Sequence, residues 1–140
     1  MDFRDYGGKT RFSGKAITIQ CLETNQVLRE TLDEAGEGRV LVVDGQASKR
    51  CALLGDILGA KLHRNGFSGI IINGCVRDTE DLGKLPVGVK ALNTCPVKPG
   101  KAPVGTKGEP VTFAGITINT GDWIYACADG VVVSKEELVI

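Results

Sequence analysis

No run of apolar residues approaches the roughly 20 that carry a helix across a bilayer, and the opening MDFRDYGGKTRF is charged and Gly-rich, unlike a secretion signal. The expectation is a soluble, cytoplasmic protein without membrane contact. Aromatic residues supply only 5% of the chain, and the 17 Lys and Arg are balanced by 17 Asp and Glu. With neither a stacking platform nor a positive field, direct nucleic-acid binding is not expected. The five cysteines, Cys21, Cys51, Cys75, Cys95 and Cys127, are odd in number and form no C-x-x-C pair. They suggest neither zinc nor redox chemistry and read mostly as reduced, buried small hydrophobes. Neither an internal repeat nor a compositional shift divides the chain, so residues 1–140 read as a single domain.

What is present is an ordinary globular composition, 42% hydrophobic and 24% charged, with a high count of 19 glycines for tight turns and close backbone approach. Lys15 to Leu22 alternates polar and apolar residues and reads as a strand with one face inward. Thr24 can cap the helix that follows, in which Val27, Leu28, Leu32 and Ala35 recur at helical spacing before Gly36. The run RVLVVD, Arg39 to Asp44, is a strand covered on both faces, with a C-terminal end suited to a site edge. From Ser48 to Arg64 two helical pieces are expected, joined near Gly55. GIIING completes a β-α-β-α-β alternation, the signature of an α/β fold with a parallel sheet. VGVKAL, PVTFAG, DWIYAC and GVVVS make the second half mainly β, and NTCPVKPGKAPVGTKGEP reads as an exposed excursion.

The chemistry concentrates in Gly55, Asp56, Ile57 and Leu58 together with Arg77 and Asp78. A helix restarting at Gly55 presents backbone N–H groups without intrahelical partners, a receptor for a carboxylate. Arg77 and Asp78 follow the GIIING strand, at the strand end where open α/β sheets place their ligands. A guanidinium fork can hold a carboxylate or a developing enolate oxygen, and the Asp78 carboxylate is a hard ligand of the kind Mg²⁺ or Mn²⁺ prefers. Chelation of a 2-keto acid would stabilise the enolate left when a carbon–carbon bond breaks, with Asp56 moving a proton through a water. By spacing alone, an Asp beside a Gly also reads as a helix cap, and Arg-Asp as a solvated loop. Glu80 and Asp81 suit either a helix first turn or a metal's water shell. His63 reads as a helix C-terminal cap, Trp123 as core or interface, and Cys75 as packing.

The segments FSGKAITIQCLETN, RVLVVDGQAS, GDILGAKLHRNGFSGIIINGCVRDTEDL and GDWIYACADGVVVS, in that order, resemble the RraA-like family across nearly the whole chain. That family unites regulators of ribonuclease activity with 4-hydroxy-4-methyl-2-oxoglutarate aldolases that also decarboxylate oxaloacetate. The resemblance implies a swivelling β/β/α fold with a central sheet flanked by helices, a homotrimer with sites at subunit interfaces, and a class II, metal-dependent lyase releasing pyruvate. It further implies that Gly55 to Leu58 hold the substrate carboxylate, Arg77 the keto acid and Asp78 the metal. Asp56 belongs to the same motif, and Asp81 matches the family's outer acid. The alternative is a non-catalytic regulator binding a ribonuclease of the RNase E type or an RNA-processing helicase. One departure is a start close to the first β region, without the family's usual N-terminal helical segment. Some relatives carry menaquinone methyltransferase names, but an S-adenosylmethionine site wants a Gly-rich loop and VVDGQAS supplies one glycine.

Overall fold

The computed structural model describes residues 3–102 and 104–139. Its frame is a parallel core laid down by three apolar runs. Strands β1 (Arg4–Asp5), β2 (Phe12–Gln20) and β3 (Val40–Asp44) are followed by the short β4 (Ala52–Leu54), then β5 (Gly69–Val76) and β6 (Gly88–Thr94). β2, β3, β5 and β6 run parallel to one another, and β4 takes the place of β3 beside the end of β5. Beyond them lie β7 (Thr106–Lys107), the β8 (Val111–Phe113) and β9 (Ile116–Ile118) hairpin, and the antiparallel pair β10 (Trp123–Cys127) and β11 (Gly130–Ser134). The main sheet has the order β1-β6-β5-β3-β2-β10-β11.

Strand alternation sends successive side chains to opposite faces. Ile17, Ile19, Leu41, Val43, Ile70 and Ile72 pack on one face against Leu28, Leu32, Leu58, Leu62 and Leu82. Those leucines come from α1 (Gln26–Leu32), α2 (Asp56–Arg64) and α3 (Thr79–Leu82), so all three helices cover the same face. Burying each such leucine contributes about 1.5–3 kcal/mol. The other face, with Val40, Val42 and Ile71, is covered by the β8–β9 hairpin through Val111, Phe113 and Ile118. Four of the five cysteines are buried and all five are free.

Two expectations are corrected. The Ser48–Arg64 region is not two helical pieces: its first part forms β4, whose ALL triplet pairs with Cys75 and Val76, and only α2 is helical. Short apolar runs do not distinguish helix from strand, and the available edge of β5 decides here. Thr24 does not cap α1: Asn25 occupies the cap position without a side-chain cap bond, and Thr24 Oγ1 donates to the Ala102 carbonyl at 2.6 Å. The Pro- and Gly-rich segment is the exposed excursion expected, tied to the body at a few points. Its Cys95 is buried, Thr24 bridges to Gly100, and Thr106–Lys107 adds a strand to β2.

Candidate active site

Two turns meet at the C-terminal ends of β4 and β5. β4 leads through an extended Gly55 into α2, and β5 leads through Arg77 into Asp78, which stands in the left-handed region at φ 56°. That conformation costs a non-glycine residue on the order of 1 kcal/mol, and here it turns the Asp78 carboxylate onto the start of α2. The Asp56 amide donates to Asp78 Oδ2 at 3.0 Å, and Arg77 Nη1 lies 3.4 Å from the same oxygen. The Arg77 amide donates to the Leu54 carbonyl at 2.9 Å, locking the two turns together. Glycine is needed at position 55 because a Cβ there would stand 2.7 Å from Asp78 Oδ2 and 3.1 Å from the Arg77 guanidinium carbon.

The Asp78 carboxyl is held below its usual range, first by the Asp56 amide, then by the Asp56 side chain, Arg77 and Lys98, against an opposing desolvation cost. It is therefore a permanent anion near neutral pH. The α2 amides are not an empty receptor. The Asp56 amide is held by Asp78, and the Ile57 amide donates to Asp56 Oδ1 at 2.9 Å. The protein's own carboxylates occupy the place a ligand carboxylate would take. Ile57 is 67% exposed, whereas Leu58 packs into the core, and Asp81 stands exposed on α3.

Two small cavities flank Arg77. One of about 240 Å³ is lined by Arg77, Asp78, Thr79, Thr94, Cys95 and Pro96. The other, about 190 Å³, lies against Gly55, Ile57 and Leu58 and gathers the basic residues Arg29, Arg77, Lys98 and Lys101. Sequence reading missed Arg29, Lys98 and Lys101, and it missed Asn25, whose buried amide donates to the Leu53 carbonyl at 3.0 Å and steadies β4. The Lys-rich composition of NTCPVKPGKAPVGTKGEP was the available signal. A larger groove of about 1020 Å³ runs between residues 8–13 and β10–β11, but its ionic groups are Lys9, Arg11 and Asp129, far simpler than the converged set at Arg77.

The remaining sequence candidates fall outside this convergence. His63 is exposed in the last turn of α2, where the helix dipole favours it. Trp123 is half-buried on β10 under the Lys15 ammonium, 5.4 Å from the ring centre. The Cys75 thiol is pushed up by burial and by Cys95, the wrong direction for a nucleophile. Cys21 is pushed up to about 12, chiefly by burial. Asp44, at the end of β3, builds a separate buried network, accepting from Asn73 Nδ2 and from the Gln46 amide, each at 2.9 Å.

Known proteins resemble this chain along nearly its whole length. Residues 2–133 match the family described as RraA-like: Aldolase/RraA. A protein of Alkalilimnicola ehrlichii, provisionally named 4-hydroxy-4-methyl-2-oxoglutarate aldolase, is 53% identical over 98% of this chain and 85% of its own length. One from Laribacter hongkongensis with the same provisional name is 51% identical over 98% and 86%. Among solved structures, one named S-adenosylmethionine:2-dimethylmenaquinone methyltransferase, from Geobacillus kaustophilus HTA426, superposes with a TM-score of 0.97 at 44% identity, over 99% of this chain and 86% of that one. Another, named the RNA-processing inhibitor RraA from Thermus thermophilis, gives 0.96 at 36% identity, over 98% and 84%. The chain belongs to the RraA-like family.

Proposed function

We propose that this protein is a divalent-metal-dependent lyase that cleaves a carbon–carbon bond in a small 2-keto acid and releases pyruvate. The reactions are retro-aldol cleavage of 4-hydroxy-4-methyl-2-oxoglutarate and decarboxylation of oxaloacetate. The observation that carries the reading is the left-handed Asp78, an anion pinned between the Asp56 amide and Arg77 beside a basic cavity. Relatives of about half-identical sequence named for that aldolase support it.

The donor set fits Mg²⁺ or Mn²⁺ rather than zinc. Both the Asp56 amide and Arg77 contact Oδ2 of Asp78, leaving Oδ1 for a cation. Among the described residues no three His, Cys, Asp or Glu side chains form a metal cage. One hard oxygen suits an ion that keeps most of its waters, with Asp81 in an outer shell, and does not suit four-ligand zinc. When bound, the cation would supply Lewis-acid stabilisation of charge on the keto oxygen.

Arg77 would hold the keto acid and neutralise negative charge that develops on its oxygen. The substrate carboxylate would displace the Asp56 side chain from the Ile57 amide and take the backbone from Gly55 to Leu58. The released Asp56 carboxyl would then be free to move a proton to the nascent carbanion carbon through a water. Arg29, Lys98 and Lys101 would receive the second carboxylate that both proposed substrates carry. Exposed Ile57 and Val97, at 67% and 54%, favour a covered face here, consistent with assembly as a homotrimer with the site at the interface.

The test is pyruvate formation from oxaloacetate, measured above the spontaneous rate with Mg²⁺, then with a chelator, for the wild type and Asp78→Ala. Release that needs protein, metal and Asp78 supports a lyase; turnover unchanged in the variant removes the assignment. The likeness to the Thermus RraA favours a second reading, a non-catalytic regulator that binds a ribonuclease or helicase. Capture of a purified ribonuclease of the RNase E type by a protein without pyruvate release, unchanged by Asp78→Ala, would select it.

A further inference from the structure

On the sheet face opposite the helices, β6 buries a lysine. Its neighbours Val89 and Ala91 face the helical side, so strand alternation sends Lys90 into the apolar layer beside Ile71. The side chain is only 3% exposed, a rare state for lysine, and its Nζ meets Asp5 Oδ1 across the β1–β6 pair at 3.0 Å. That contact balances charge without completing the hydrogen bonding, because Asp5 Oδ1 is buried without a hydrogen-bond partner among the described residues. A lysine has three donors, and this one contact can engage at most one of them.

Lys90 lines a cavity of about 440 Å³, bounded chiefly by Phe3, Ile71, Phe113, Ile118 and Val131. Phe3 and Phe113 pack with ring centres 5.9 Å apart at a 54° tilt. The cavity shares no residue with the two beside Arg77. Its volume falls within the ordinary range for small-molecule sites, about 300–1,000 Å³, and apolar side chains with a few polar groups, here Lys90 and Asp129, are their usual lining.

We infer that this cavity is a second ligand site, taking an uncharged, largely apolar molecule that presents one carbonyl oxygen to Lys90. Charge selects the class. Asp5 already neutralises Lys90, and Asp129 stands at the wall, so a ligand carboxylate would add a second uncompensated negative charge. A ketone oxygen accepts from the ammonium and brings no charge. A hydrocarbon would fill the volume but leave the ammonium's donors unmet.

The test compares 2-acetonaphthone with naphthalene and 2-naphthoate, titrated into the full-length protein and followed by calorimetry and amide NMR. The ketone is expected to bind saturably, about 10-fold tighter than either comparator, and to shift the amides of Ala114, Ala128 and Gly130. Lys90→Met should abolish the preference for ketone over hydrocarbon, and Asp78→Ala should leave it intact. No saturable ketone binding, preferred binding of naphthoate, or a ketone preference that survives Lys90→Met would overturn the inference. Amide shifts in the wild type decide the location even if the lysine variant does not fold.

Discussion

The β4–α2 and β5–α3 turns at one end of the sheet and the β10–β11 hairpin at its side each depend on a glycine, for opposite reasons. At Gly55 the backbone is extended and unstrained, and the obstacle to a side chain is the Asp78 carboxylate and Arg77 packed against it. At Gly130 there is open space around a Cβ, and the obstacle is the backbone itself, at φ 152°. One glycine makes room for converged ionic groups; the other lets a chain reverse. Crowding by neighbours and strain by topology are separable, and the variants below separate them.

The largest expected effect is at the crowded end. Asp78→Ala should lower metal-dependent pyruvate release by on the order of 10³-fold, with a modest loss of thermal stability because the Asp56 amide loses its acceptor. Because the folded protein holds this carboxyl below its usual value, its charge and the stability linked to it are present above the ordinary carboxylate range. Both are lost only as pH falls through the lowered value. A rate-against-pH profile should therefore keep Asp78 competent down to below about pH 4, so any limb between about pH 5 and 8 would belong to another group.

Gly55→Ala should reduce turnover by about 100-fold, since the added methyl displaces the Asp78 carboxylate and a shift near 1 Å is enough. Gly130→Ala should leave turnover intact and cost about 1–2 kcal/mol in denaturant unfolding. Equal activity losses in the two would dissolve the contrast. Lys98→Ala should raise KM for oxaloacetate by about 10-fold with kcat less affected, because it sits at the basic cavity and not on the Asp78 oxygen. The smallest effects lie at the other end of β10. Asp122 is buried, accepts from the Asn119 amide at 2.9 Å and pairs with the exposed Lys135 at 3.0 Å. Asp122→Ala should cost about 1–2 kcal/mol in chemical unfolding, and Lys135→Ala less than about 0.5 kcal/mol.

Much of the frame was legible because its signals are local. RVLVVD and GIIING announce strands covered on both faces, and Asn65-Gly66 marks the end of α2. Gly55, Arg77 and Asp78 were legible as a constellation because each stands at a strand or helix end. β4 was not, since three residues carry no period and its partners, Cys75 and Val76, lie far downstream in the chain. Nor were Arg29, Lys98 and Lys101, which reach the cavity from a helix and a loop that share no sequence pattern with α2. Lys90 was hidden in plain view, one charged residue in VGVKAL whose burial depends on which face the strand turns inward.

The sequence by itself determined the alternation of strands and helices, the parallel core and the residue types available at its ends, because apolar period and turn chemistry act over a few residues. Only the tertiary structure decided that the Asp78 carboxylate rests on the Asp56 amide rather than in solvent, that a Pro- and Gly-rich loop lays two lysines beside Arg77, and that Lys90 faces a cavity. Those outcomes depend on how distant segments pack, and packing resolves into one arrangement only when the whole sheet closes on both its faces.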